Sequence, residues 1–364
     1  MTINCPANDA VGALHDHLQG AIAVELSTIP PYLYALYSIA DPASEAAKIL
    51  RSVVVEEMLH ATLMANVLVA VGGRPRFYHR STIPAYPGPW PHRVPELTIR
   101  LRRCTQDHVR STFLEVERPI DAPATDPTIR RGDAFDSQGH FYAALERMLV
   151  NLDETSSLFT DPQVERQLTD PDGYHTVKFD SPASGGLVAV TSLDSALAAI
   201  EIPIHQGEGS GAHDFADSDR HERTHYAKFR RLADGSTPIG AIRPAIDDPH
   251  RDAMPDDVRP LAVYADALYC FTMVLLDRLY ATTDSARRRS TLGTLYGVMS
   301  GMLAPACRFL MTLPAGENAV WGPAFEFFQF SDASEPEADL RALATELASD
   351  HPGLRASLRH IDRL

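Results

Sequence analysis

Glu57 and His60 stand three residues apart in a helical run, and Glu222 and His225 repeat that spacing later in the chain. Residues i and i+3 share a helix face, so each pair can offer a carboxylate and an imidazole to one metal ion. Glu25 is a lone acid among Leu18, Ile22, Leu26 and Ile29. A buried carboxylate without a partner is costly, and either a metal ion or an arginine would serve. Glu201, His205 and Glu208 follow one another at i, i+4 and i+7, again on one face. Taken singly, each part has an ordinary explanation: a solvated face for Glu56 and Glu57, a satisfied core histidine for His60, a polar helix end for Glu201 to Glu208. The ordered set Glu, Glu-x-x-His, acid or histidine, Glu-x-x-His is far more specific, because it is the pattern of di-iron and di-manganese four-helix bundles. His221, four residues before His225, reads as a surface histidine with an extra ligand as the alternative, and Glu115 and Glu117 as a solvated helix end that could otherwise add a carboxylate.

Four helices must position these groups. The first spans about Asp9 to Ala40, with Leu14, Leu18, Ile22, Leu26 and Ile29 on its apolar face and Pro30-Pro31 predicting a kink or break. Asp41 and Pro42 have the types of a cap and first turn, and Gly72-Gly73 stop the second helix. Residues 74–100, with prolines at 75, 84, 87, 89, 91 and 95, predict a stiff extended loop. Short helical patterns follow at Thr105–Glu117 and about Gly139–Leu158, then at Leu193–Gly207 and Arg220–Leu232. A short strand is expected at His175–Phe179. The chain beyond 235 is again helical, at about Val258–Thr282, Ala286–Thr312 and Glu335–Ser349. The fold class is therefore mainly α, with residues 1–235 as a metal-binding bundle and 236–364 as a helical extension packed on it.

Composition narrows the function classes. The chain has 364 residues, 45% hydrophobic and 22% charged, with a formal net charge of −15. That charge argues against nucleic-acid or anionic-membrane binding, both of which need a basic footprint. Cys5, Cys104, Cys270 and Cys307 form no C-x-x-C pair and predict reduced thiols, so a cytoplasmic chain without a disulfide frame is expected. No leader pattern opens the sequence. The apolar stretch Leu261–Leu279 carries Asp266, Asp277 and Arg278, which predicts a buried helix and not a membrane span. Glu and His without Cys suit Fe or Mn, with Zn or Cu also accommodated.

Beyond these spacings, the sequence resembles a known family. The run from Glu25 through Pro30, Pro31, Tyr32, Tyr34 and Tyr37 to Ile39 is similar to the first signature of the ferritin-like domain of iminophenyl-pyruvate dimer synthases, which include the large enzymes of bis-indole pigment and chromopyrrolate biosynthesis. Glu56-Glu57 with His60, Asn66 and Gly72-Gly73-Arg74-Pro75 resemble the second signature. Ile83-Pro84, Tyr86-Pro87-Gly88 and Phe113 to Pro119 resemble the loop and short helix that follow. Gln206-Gly207-Glu208-Gly209, His225-Tyr226 with Phe229, and Gly322-Pro323-Ala324-Phe325-Glu326 resemble the second half. The similarity covers roughly Leu14 to Phe328. It implies a ferritin-like four-helix bundle with Glu25, Glu57, His60, Glu222 and His225 as ligands, joined by His205 or Glu208. His205 departs from the family, which commonly has Glu before Gln-Gly-Glu-Gly, and imidazole in place of carboxylate would lower the negative charge of the site.

The leading expectation is a metal-dependent oxidase or oxygenase of secondary metabolism. One or two Fe ions (Mn or Cu as alternatives) would activate O2 toward an amino-acid-derived or aromatic small molecule. Coupling of two imine or keto-acid molecules is the alternative implied by the resemblance, and non-catalytic iron handling a third. Tyr32, Tyr34 and Tyr37 are expected to pack near Glu25, a homo-oligomer is compatible with the chain, and the proline-rich loops and C-terminal helices are expected to govern access to the metal.

Overall fold

A computed structural model describes residues 7–92, 96–119, 135, 137–169, 186–207, 215–217, 222–350, 354, 358, 360 and 361. Helix α1 (Ala7–Ser38) and helix α2 (Glu45–Ala70) form an antiparallel hairpin. The predicted break at Pro30-Pro31 is absent, and α1 runs unbroken through both prolines. A proline cannot donate to the carbonyl four residues back. At Pro31 that carbonyl belongs to Ser27, and it accepts instead from the Tyr86 hydroxyl at 2.7 Å. The proline-rich loop thus repairs the ladder that the prolines interrupt.

Ser44, and not Asp41-Pro42, caps α2: its side chain accepts from the Ala47 amide. Asp41 caps the preceding turn, accepting from Ala43 N at 2.9 Å. Gly72 ends the helix with φ of +83°, where glycine carries no Cβ penalty, and Gly73 N returns to Leu68 O.

Strands β1 (Gly88–Pro89) and β2 (Thr98–Ile99) pair antiparallel across the proline-rich loop. Short helices α3 (Gln106–His108) and α4 (Leu114–Val116) flank a π-helical turn, Val109–Phe113. Helix α5 (Gln138–Ser156) packs against α1 and against α6 (Leu193–Gln206), which in turn lies on α2. Strands β3 (Phe215–Asp217) and β4 (Glu222–Arg223) pair antiparallel and lead into α7 (His225–Ala233). The expected helix at Arg220–Leu232 therefore starts five residues late. Glu222 lies in a strand, so it and His225 do not share a helix face. Thr224 caps α7 by accepting from Ala227 N, which fixes the start of the helix one residue before His225. The strand expected at His175–Phe179 lies outside the described residues.

Helices α8 (Arg259–Ala281), α9 (Ser285–Val298), α10 (Ala304–Leu310) and α11 (Pro336–Asp350) complete the chain. A second π-helical turn, Met299–Leu303, joins α9 to α10. One continuous apolar cluster runs from Leu18 of α1 through Leu63 of α2 to Leu268 and Phe271 of α8. The Tyr280 hydroxyl at the end of α8 donates to Thr62 O of α2 at 3.1 Å. Helices α2 and α8 are long and apolar enough to cross a membrane, but both are mostly buried within the protein. Among the described residues the only sheets are the two two-stranded ladders, which leaves the fold mainly α.

Gly322 ties the C-terminal segment to α1. A Cβ there would lie 2.3 Å from the Tyr34 hydroxyl oxygen, and Tyr34 is buried with that hydroxyl donating to Ile246 O. Gly322→Ala is expected to destabilise the fold by about 1–3 kcal/mol, because a well-packed site must shift to admit the methyl group. Chemical denaturation would measure it, and an unchanged midpoint would contradict the contact.

Candidate metal centre

Two buried triads meet at Glu57. Glu25, Glu57 and His60 form one; Glu57, Glu117 and His225 form the other, and in each the donor atoms lie within 4.8 Å of one another. Helix α1 supplies Glu25, α2 supplies Glu57 and His60, the end of α4 supplies Glu117, and the first residue of α7 is His225. None of the five is more than 2% exposed. Glu57 turns Oε2 toward His60 Nδ1 at 3.6 Å and Oε1 toward His225 Nδ1 at 3.1 Å. Glu25 Oε2 lies 3.5 Å from His60 Nδ1, and Glu117 Oε2 lies 3.5 Å from His225 Nδ1. The two imidazoles stack with centroids 5.4 Å apart.

The surrounding residues aim these groups inward. His60 Nε2 donates to Gln206 Oε1 of α6 at 2.8 Å, and His225 Nε2 donates to Glu56 Oε2 at 2.7 Å. An imidazole that donates its outer N–H in this way presents its other nitrogen as a ligand of fixed orientation. A tyrosine holds each outer carboxylate: Tyr32 donates to Glu117 Oε1 at 2.6 Å, and Tyr142 donates to Glu25 Oε1. Gln138 donates to the same Glu25 oxygen at 2.7 Å. Lys228, one turn after His225 on α7, clamps both oxygens of Glu56 at 2.7 and 2.8 Å.

Electrostatics gives the arrangement its tension. Burial and the neighbouring Glu117 carboxylate push Glu57 up to about 7. Burial disfavours the imidazolium of His60, yet Glu25 and Glu57 together raise it to about 10. His225 is raised in the same way by Glu117, Glu56 and Glu57 against its own burial. Burial also opposes ionisation of Glu25 and Glu56, but His60 holds the first below the carboxylate range, and Lys228 with His225 holds the second at about 2. The two imidazoles are thus drawn toward protonation by the acids around them, and a cation would bind the same nitrogens in place of a proton.

The geometry fits such a cation. Donor atoms about 2.0–2.2 Å from a first-row ion lie roughly 3–3.5 Å apart, close to the spacings found here. Glu25 Oε2 and His225 Nδ1 are buried and make no well-aligned hydrogen bond, although both face the other donor atoms of the cluster. Carboxylate and imidazole without thiolate suit Fe or Mn over softer-ligand ions.

The structure redistributes the residues singled out in the sequence. Glu25, Glu57, His60 and His225 come together. His205 and Glu201 are exposed on α6, so the imidazole at 205 does not alter the charge of the buried cluster. Three or four residues per turn set that outcome: the α6 position facing His60 is occupied by Gln206, one residue on. Glu208 and His221 lie outside the described residues, and of Glu222 only the backbone, in β4, is described. Glu117 is 1% exposed and not a solvated helix end. The helix before it is too short to show periodicity, so helical spacing gave no signal of its burial, and only the resemblance of the Phe113 to Pro119 run pointed to it. Glu115 does behave as a surface residue and pairs with Arg118. Lys228 carried a faint signal, standing i+3 from His225 on an apolar face.

At 24% identity the chain aligns with the 2-imino-3-(indol-3-yl)propanoate dimerase of Chromobacterium violaceum, over 82% of this chain and 32% of that protein. At 25% identity it aligns with the dichlorochromopyrrolate synthase of Lentzea aerocolonigenes, over 92% of this chain and 38% of that protein. The chain thus spans about a third of the length of these curated relatives. The crystal structure of a ferritin-like protein from Caulobacter vibrioides superposes with a TM-score of 0.60 at 22% identity, covering 86% of this chain and 98% of that one. The model of the ferritin-like family matches residues 18–234, more than half of the chain and every residue of both triads, and the chain belongs to that family.

Proposed function

We propose that the chain is a metal-dependent oxidase or oxygenase of secondary metabolism, with two Fe ions held by Glu25, Glu57, His60, Glu117 and His225. One observation carries the reading: a single buried carboxylate, Glu57, is shared by two histidine–carboxylate triads. The curated relatives are named as a 2-imino-3-(indol-3-yl)propanoate dimerase and a dichlorochromopyrrolate synthase, which supports an enzyme acting on an amino-acid-derived or aromatic small molecule. When bound, the metal supplies one-electron chemistry and an open position for O2.

The protein's own residues do the rest. Gln206 and Glu56 fix the two imidazoles by their outer N–H groups. Tyr32 and Tyr142 restrain the outer carboxylates. Tyr32, Phe113 and Phe229 pack ring against ring beside Glu117 and keep water from that side of the centre. Lys228 keeps Glu56 ionised, so the proton on His225 Nε2 stays in place while Nδ1 is engaged.

Metal analysis of protein from iron-supplied cells, paired with an oxygen electrode, tests the proposal. The expected result is transition metal in the purified protein and O2 uptake on adding the imine of indole-3-pyruvate or phenylpyruvate. Protein that holds no transition metal refutes the centre; metal without O2 uptake refutes the oxidase reading. Coupling of two imine molecules is the second reading, favoured by the word dimerase in one relative's name. It predicts a dimeric product by mass spectrometry without net O2 uptake.

A further inference from the structure

A cavity of about 340 Å³ lies between the α1–α2 hairpin and the helices α8 to α10. Its volume is in the range of small-molecule sites, about 300–1,000 Å³. The wall is aliphatic, from residues such as Leu33, Val54, Met273 and Leu276. None of the wall belongs to either triad, although Leu26, Met58 and Ala61 directly follow Glu25, Glu57 and His60 in the chain.

Two cations stand in this apolar wall, Arg51 and Arg308. Neither forms an ion pair among the described residues. Arg51 donates to Pro42 O at 3.0 Å, and Arg308 lies over the Tyr37 ring, 5.3 Å from its centroid. Arg243 stands close by, spending its guanidinium on the carbonyls of Tyr37 and Ile39. Burial and the like charges of Arg51 and Arg243 hold Arg308 below the usual guanidinium range. Gathering like charges beside apolar surface is unfavourable unless an anion relieves it. The wall carries one further unfilled polar group. The Tyr269 hydroxyl is buried, in a residue 2% exposed, and has no hydrogen-bond partner. The threonine and serine hydroxyls of the wall are turned to their own helices: Thr62 donates to Met58 O, Thr272 to Tyr269 O and Ser300 to Tyr296 O.

We infer that this cavity is a second ligand site, separate from the metal centre, for a small monocarboxylate with an apolar body whose carboxylate meets Arg51 and Arg308. Arginine binds carboxylates through paired, charge-assisted hydrogen bonds, which suits a charged head group on a molecule whose body lies along an aliphatic wall. An alkyl acid and an aryl acid share this chemistry.

Isothermal titration of the full chain with decanoate and with indole-3-propanoate tests the site. At least one acid is expected to bind with a Kd below about 0.1 mM. Binding of decanoate alone assigns an alkyl acid, and binding of indole-3-propanoate alone an aryl acid. Arg308→Gln is expected to weaken the acid about tenfold and to leave decan-1-ol unaffected, because only the charged contact is lost. Tyr269→Phe deletes a hydroxyl without a protein partner, so the fold should tolerate it while acid binding falls a few-fold. His225→Ala should change neither titration, which separates this site from a carboxylate taken up by the metal centre. Failure of both acids to bind at about millimolar concentration would overturn the inference. So would alcohol binding as tight as acid binding, or loss of acid binding in His225→Ala.

Discussion

Glu57→Gln protein purified from iron-supplied cells is expected to hold almost no transition metal, while Glu25→Gln and Glu117→Gln each lose about half. The difference follows from position: Glu57 belongs to both triads and each of the others to one. Losing a ligand that two ions share removes a donor from each, whereas losing an outer carboxylate leaves the other triad whole. Elemental analysis on the three variants measures it, and equal losses in all three would contradict a shared carboxylate. The same substitution should act in the opposite direction on the metal-free protein. Burial and Glu117 raise Glu57 to about 7, above its ordinary value of 4.5. A carboxyl raised on folding favours the folded state when protonated, and that advantage is lost as pH climbs from about 4.5 through 7. Glu57→Gln removes the charge and keeps the shape. Chelator-treated Glu57→Gln is therefore expected to melt no lower than the parent at pH 8, and higher by about 1–2 °C for each kcal/mol gained. The stability lost by the native side chain is what a centre loaded with cations recovers.

Lys228→Met is the second large effect. It leaves Glu56 buried with only His225 as a charged partner. Breaking a buried pair by removing one partner costs about 3–5 kcal/mol, and the retained imidazole places this case near the lower figure. Urea unfolding of metal-free protein would measure it. Glu56→Gln combined with Lys228→Met should recover most of the loss, since no isolated charge remains. The parent also has a defined pH response at this pair. Glu56 sits at about 2 when folded and near 4.5 otherwise. A depressed carboxyl contributes stability that is fully present above about 4.5 and disappears as pH falls toward 2, because the unfolded chain takes up its proton first. That acid-side loss should be smaller in Lys228→Met than in the parent. An unchanged urea midpoint at neutral pH would show that the pair does not hold the helix.

How the sequence specified the centre can be seen residue by residue. Helical spacing alone placed Glu57 and His60 together, because both lie within one long amphipathic helix whose period is regular. Glu25 was legible as an acid on an apolar face. His225 was legible as a residue type and not as a member of a helical pair. Thr224 starts α7 at His225, so Glu222 falls into a strand that no local pattern announced. At α6 the sequence offered Glu201, His205 and Glu208, whereas Gln206 meets His60; His205 and Gln206 differ by a rotation of one residue, about 100°, and side-chain spacing cannot fix the absolute phase of a helix.

The local sequence thus determined the mainly α class, the α1–α2 hairpin and four of the five clustered side chains. Tertiary structure decided the rest. It buried Glu117 at the end of a three-residue helix, against Tyr32 from α1. It continued α1 through Pro30-Pro31, because Tyr86 from a distant loop supplied the missing donor. It also joined Glu56 to Lys228 across 172 residues of chain and set Arg51 beside Arg308 around a cavity. The physical reason is common to all of these. Helical periodicity is written in residues a few positions apart, whereas the partner of a buried charge or of a freed carbonyl is chosen by whichever element packs against it.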